Sequence, residues 1–164
     1  MAINSLKDLY VNELQDLHSA FRQAAAVLEE LQQATETEDL RLTLKKEKDG
    51  AERHRQVVAR LISAHGENPR EQSCEGMEGL VKEAKAHSLR DKFGDATVRD
   101  AMIVTQVQRM NHYGIAGMGS CAAMAKQLGL NDEAKQLHDC VEAVRKGDEN
   151  MSEVAEEKIN RAAA

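Results

Sequence analysis

Aromatic side chains are nearly missing from this chain of 164 residues: Trp is absent and Tyr and Phe occur twice each, so any core must be aliphatic. Proline occurs once, at Pro69. The scarcity of aromatics, beside 30 % charged residues, excludes a sheet protein and suits long helices. No Lys/Arg block or basic helix face occurs, and the formal net charge is −6, which argues against nucleic acid and anionic membranes as partners. No apolar run approaches the roughly 18–20 residues of a membrane span, and the N-terminal MAINSLKDLY lacks a basic-then-apolar signal layout. A soluble, cytoplasmic protein is expected. Cys74, Cys121 and Cys140 are an odd count without metal-ligand spacing, so free thiols are the default, with Cys121 and Cys140 on neighbouring helices.

What is present is helical rhythm. The first helix begins at Ser5, where Ser5-x-x-Asp8 resembles a capping box, and its apolar positions run Tyr10, Leu14, Leu17, Phe21, Ala24, Leu28, Leu31. Those alternating steps of four and three make the 3.5-residue seam of a left-handed bundle. After a polar break over Thr35 to Asp39, the second helix reads Leu40, Leu44, Glu47, Ala51, His54, Val58, Leu61. Gly66 and Pro69 end it, and a connection of about 30 residues to Asp95 is expected to hold a short helix over Glu75 to His87. Met77, Leu80, Val81 and Ala84 are its inward positions. The third helix reads Ile103, Val107, Met110, Gly114, Gly117, Cys121, Met124, Leu128, with Gly129 placed for a positive-φ stop. Asn131 is expected to cap the fourth, which reads Ala134, Leu137, Val141, Val144, Asp148, Met151, Ala155. Two hairpins joined by one long crossover make an all-α, antiparallel four-helix bundle of ferritin-like connectivity in a single domain, 1–164.

The seam is interrupted by Glu47, His54 and Asp148, with Asn111 and His112 flanking it. Buried charge must be paired or bind metal. The functional reading is a metal site. The plainer one makes His54 and Asp148 a buried hydrogen-bonded pair, with Glu47 reaching solvent. His18, His65, His87 and His138 read as surface or rim residues. Gly114, Ala116, Gly117, Ser120 and Ala123 make a small-residue surface, suited to close packing within the chain or to a dimer face. The methionines at 102, 110, 118, 124 and 151 read as core filler. Phosphate loops, nucleophile elbows and zinc-finger patterns are absent.

The segments Leu6 to Ala20 (LKDLYVNELQDLHSA), Cys74 to Leu80 (CEGMEGL), Val98 to Met102 (VRDAM), His112–Tyr113 with Ile115–Ala116, and Leu128 to Ala134 together resemble the YciF/YciE-type ferritin-like stress proteins of bacteria. The resemblance spans nearly the whole chain. It implies a ferritin-like bundle, usually dimeric, often with a dinuclear iron or manganese site, and an association with stress.

Carried over one position at a time, most of the implied ligands are missing. The family's first-helix Glu matches Phe21, and its second-helix acidic cluster matches Asp49, Gly50 and Ala51, leaving Asp49 and Glu52 as the remnant of a ligand pair. The Glu-His-Tyr-Glu of its third helix has become Asn111-His112-Tyr113-Gly114, and the Asp-Glu-Glu-Lys of its fourth has become Glu142-Ala143-Val144-Arg145. The vacated positions are therefore Phe21, Gly50, Asn111, Gly114, Ala143 and Val144. Losing nearly all carboxylates together avoids like charges left facing one another without a cation. Phe21 is expected to fill the space that Gly50 and Gly114 leave.

The leading expectation is a metal-free, non-catalytic member of the family, without cofactor, acting through its surface as a homodimer or with a protein partner. The rival is a rewritten iron, manganese or zinc site built from His54, His112, Asp49, Glu52 and Asp148, with a metal- or peroxide-handling activity. A thiol sensor on one of the three cysteines is the third.

Overall fold

The computed structural model describes residues 3–69 and 73–164. α1 spans Leu6–Ala34, and Ser5 caps it by accepting the Asp8 N–H at 3.1 Å. The Asp8 carboxylate takes the N–H of Asn4 at 3.0 Å. α2 spans Glu38–Ala64, and its cap residue Thr37 makes no side-chain capping bond. Instead the Thr37 N–H donates across the bundle to Asp100 Oδ2 at 2.9 Å, and Arg41 donates to the Thr35 carbonyl at 2.6 Å. Gly66, at φ +76°, turns the chain away after α2.

α3 spans Glu75–Lys85 and is capped by Cys74, whose sulfur accepts the Met77 N–H at 3.4 Å. A π-helical turn, Ala86–Arg90, follows, so the short helix expected over Glu75 to His87 changes its hydrogen-bond step at Ala86. α4 spans Ala96–Gln127, capped by the Asp95 carboxylate on the Thr97 N–H at 2.7 Å. Gly129, at φ +75°, makes the expected stop. α5 spans Asn131–Val154 and runs through a second π turn, Ala155–Ile159, into a last turn at Asn160–Ala163. Asn131 does not cap α5: Leu130 holds that position and Asn131 is already helical.

α1 packs on α2 and α4, and α5 packs on α2 and α4, which closes a square in the order α1–α2–α5–α4. α3 lies across α1 and α4. Gln15 near the start of α1 bonds the Asn68 carbonyl beyond the end of α2, and Tyr10 bonds Glu133 at the start of α5. At the other end, Lys158 pairs with Asp39. Neighbours in the square are therefore antiparallel, and the crossover carrying α3 runs the bundle's length, as the sequence pattern predicts.

The core is aliphatic: Leu14, Leu17, Leu31, Leu40, Leu44, Ile62, Ile103 and Leu137 are fully buried. Met77, Met110, Met118 and Met151 are buried among them, while Met102 and Met124 are partly covered. In the second half of α4 the buried row is Met118, Cys121, Ala125 and not Gly117, Met124, Leu128. A straight helix drifts against a strict heptad, and the step after Gly114 is four residues, not three. Gly117 lies against Leu17 and Gly114 against Phe21, which gives both glycines a reason inside the chain. Ala116, Ser120 and Ala123 face outward. Among the described residues no helix is long and apolar enough to cross a membrane.

Candidate functional site: a central cavity

Midway along the square, the vacated seam leaves a cavity of about 420 Å³. Phe21, Gly50, Asn111, Gly114, Ala143 and Val144 all line it. Six positions on four helices, singled out by their lost ligands, thus meet around one space. The Phe21 ring stands on Gly114, where a Cβ would lie 3.4 Å from Phe21 Cε1. The cavity lies beside both residues, so the expectation that Phe21 closes the centre is overturned. A rigid ring anchored on α1 covers α4 but does not reach the gap between α2 and α5.

Three polar groups on or beside the seam, His54, Glu47 and Asn111, reach this space. His54 is 8 % exposed and lines the cavity, with its ring 5.6 Å from that of Phe21 and no hydrogen bond to any described residue. Burial, with Arg53 nearby, pulls its pKa down to about 4, so the imidazole is neutral. Glu47 does not reach solvent near the bundle's end, as expected above, but turns inward. Burial pushes its pKa up to about 7, opposed by the neighbouring Asn111 amide and aided by Asp148. Gly147 makes this inward turn sterically feasible, because a Cβ there would collide with Glu47 Oε1. The Nδ2 of Asn111 is buried without a hydrogen bond of normal geometry.

The pairing expected between His54 and Asp148 is not formed. Asp148 Oδ2 lies 3.2 Å from Nε2 of the largely exposed His112, and Oδ1 is buried without a partner. His112 sits two positions from both Met110 and Gly114 of the seam, on the side of α4 that meets α5. Asp49 pairs with Lys45 at 3.1 Å and Glu52 with Arg55 at 2.9 Å, each along the surface of α2. His54, His112, Asp49, Glu52 and Asp148 are therefore not brought together, and no group of three His, Cys, Asp or Glu side chains forms a metal-holding cluster among the described residues. The uncharged and acidic polar groups around the cavity are the amides of Asn111 and Asn150, the Thr43 hydroxyl, the His54 imidazole and the inward Glu47 carboxyl, with Glu153 exposed at the rim. A dinuclear site needs about four carboxylates, so these residues do not fit one.

Two further clusters escaped the periodicity. Tyr10 donates to Glu133 Oε2 at 2.7 Å, His65 Nε2 lies 3.0 Å from the same oxygen, and the two rings meet edge-on. The His65 side chain is only 7 % exposed, so it is not a rim residue. His18 is half-buried with a buried, unpartnered Nδ1, whereas His87 and His138 are exposed as expected. The second cluster holds Cys74, whose thiol donates to Asp16 at 3.0 Å and lies 3.0 Å from the Tyr113 hydroxyl. Tyr10, a polar aromatic at a seam position, was the available signal for the first; Tyr113 lies beside the seam, and the pattern gave no signal for the second. All three cysteines are free and buried. Burial raises their thiol pKa values, that of Cys121 to about 12, which is the opposite of a reactive sensor.

Comparison with known proteins agrees with this architecture. Residues 5–164 match the family model described as "Domain of unknown function (DUF892)". The chain is 30 % identical over 167 aligned residues to Protein YciF of Escherichia coli (strain K12), covering 99 % of this chain and 98 % of the relative. The crystal structure of the E. coli stress protein YciF superposes with a TM-score of 0.88 at 26 % identity, over 96 % of this chain and 99 % of that one. YcfI of Rhodopseudomonas palustris, to which a structural role is ascribed, superposes with a TM-score of 0.85 at 25 % identity, over 92 % and 94 %. The chain belongs to the DUF892 family and is a YciF-like helical bundle.

Proposed function

We propose that this chain is a stress-response protein that works by binding, as a non-catalytic bundle without a resident metal. The observation that carries the reading is the ring of six positions around one cavity, where Phe21, Gly50, Asn111, Gly114, Ala143 and Val144 offer no carboxylate between them. Glu47 is the one inward acid among the described residues there. The stress association of YciF and the structural role ascribed to YcfI support the reading. In this reading the chain acts in the cytoplasm as a homodimer or on a protein partner. Nucleic acid and membrane surfaces are not its targets, in keeping with a net charge of −6. The rewritten iron, manganese or zinc site has less support, because of its five residues only His112 and Asp148 meet.

Elemental mass spectrometry tests this on full-length protein expressed with added iron and manganese and purified without chelator or affinity nickel. Less than about a tenth of an equivalent per chain is expected. About two equivalents would overturn the reading, since a dinuclear site would then be intact. About one would revive the mononuclear alternative and make His54 the first residue to replace. Light scattering of the same sample reads the homodimer.

A further inference from the structure

The cavity among the vacated positions has apolar walls, one orphaned polar atom and a charged rim, and together these describe a ligand. Its volume of about 420 Å³ lies within the ~300–1,000 Å³ of small-molecule sites. Phe21, Leu28, Met77, Val107, Met110 and Val144 make the walls apolar. A buried polar atom without a partner is costly, and few are tolerated in a native fold. One polar atom here lacks a hydrogen bond of normal geometry, the buried Nδ2 of Asn111 beside Glu47, while the neutral imidazole of His54 lines the same space. Gly50 keeps the space beside His54 Nε2 open, since a Cβ there would already stand 3.9 Å from it.

The rim lies between α2 and α5 and carries Lys46, Arg53 and Lys146, with Glu153 the opposing charge. Lys146 reaches Glu149 at 3.3 Å, but Lys46 and Arg53 make no ion pair with any described residue. Cations on the rim repel an amine and receive an acid. An apolar body with one anionic group satisfies both layers: the chain enters the walls and the head meets the rim. Glu47 holds its proton up to about neutral pH, so it brings no full second negative charge against that head.

We infer that the cavity at the vacated metal site binds a medium-chain monocarboxylate, with its hydrocarbon chain among Phe21, Leu28, Val107 and Val144 and its carboxylate at Lys46 and Arg53. This deepens the proposed function and rests on it, because a dinuclear metal centre would occupy the same space. The probes are octanoate, octanol and octylamine, titrated calorimetrically into the full chain whose metal content has been measured. Octanoate is expected to bind at about one per chain, and octylamine about tenfold or more weaker. The double change Lys46→Glu with Arg53→Glu is expected to weaken octanoate about tenfold while leaving octanol within about twofold.

Gly50→Leu fills the space beside His54 and replaces a helix-weakening glycine, so it should lose both ligands while melting no lower than the parent. Retained octanoate binding in folded Gly50→Leu would overturn the placement in the cavity. Equal octanol and octanoate affinity, indifferent to the rim reversal, would overturn the anionic head. No octanoate binding to a metal-free, folded sample would sink the inference and leave the non-metal reading standing. About two metal ions per chain would sink the reading itself.

Discussion

The carboxyl of Glu47 on α2 sits in the notch that Gly147 leaves on α5, so closely that the backbone of one helix is shaped to the side chain of the other. The two residues explain each other. A glycine in mid-helix costs about 1 kcal/mol against Ala, with no turn here to require it. The notch lets a charged-type residue stay inside the bundle beside Asn111 and Asp148.

Gly147→Ala is accordingly expected to expel the Glu47 side chain toward solvent. The collision is with the tip of a flexible side chain, so the fold should tolerate it, with a net change within about 1 kcal/mol because helix propensity offsets the lost fit. The readout is the Glu47 pKa by carbon-detected NMR, which should fall from about 7 toward 4.5. An unmoved value would mean that the notch does not set the carboxyl's surroundings.

Glu47 and His54 shift their pKa values in opposite directions, and the signs decide how stability responds to pH. The folded pKa of Glu47, raised from 4.5 to about 7, makes the native state bind the extra proton, so its contribution is present below 4.5 and is lost as pH rises to 7. The folded pKa of His54, lowered from 6.5 to about 4, makes the unfolded state bind the extra proton, so stability is lost as pH falls from 6.5 to 4. Between 4.5 and 6.5 the two slopes oppose each other at about 1.4 kcal/mol per pH unit each. Urea unfolding of Glu47→Gln should therefore gain stability with rising pH in that window, and His54→Gln should lose it. Parallel curves for parent and variants would remove both groups from the pH response.

Phe21→Glu puts a carboxylate back at the first vacated position, against Gly114 and beside the neutral His54. The ring is 5 % exposed, so the change removes a buried aromatic and buries an unpaired charge. A loss of about 3 kcal/mol at neutral pH is expected, read as a lower denaturation midpoint. An unchanged midpoint would show that the cavity hydrates the new carboxylate freely.

The helices were legible because the heptad seam is nearly unbroken on α1 and α2, where Leu14, Leu17, Leu40 and Leu44 are buried as spaced. The seam misled only where straight-helix drift accumulates, in the second half of α4. The vacated positions were legible through resemblance, but the cavity they surround was not. Whether lost side chains leave a gap depends on how far α2 and α5 stand apart, which no linear pattern encodes. Glu47 was misread for the same reason: its refuge is Gly147, a hundred residues along on another helix. His65 was misread because it lies just past the end of α2, where periodicity stops and a contact with the sequence-distant Tyr10 and Glu133 takes over.

Thr37 opens α2 without a side-chain capping bond, and its own N–H is taken instead by the Asp100 carboxylate on α4. The turn of the first hairpin is therefore finished by a residue of the second. A fragment ending before α4 would leave the Thr37 N–H without that acceptor, so the first hairpin's turn is tied to the second hairpin.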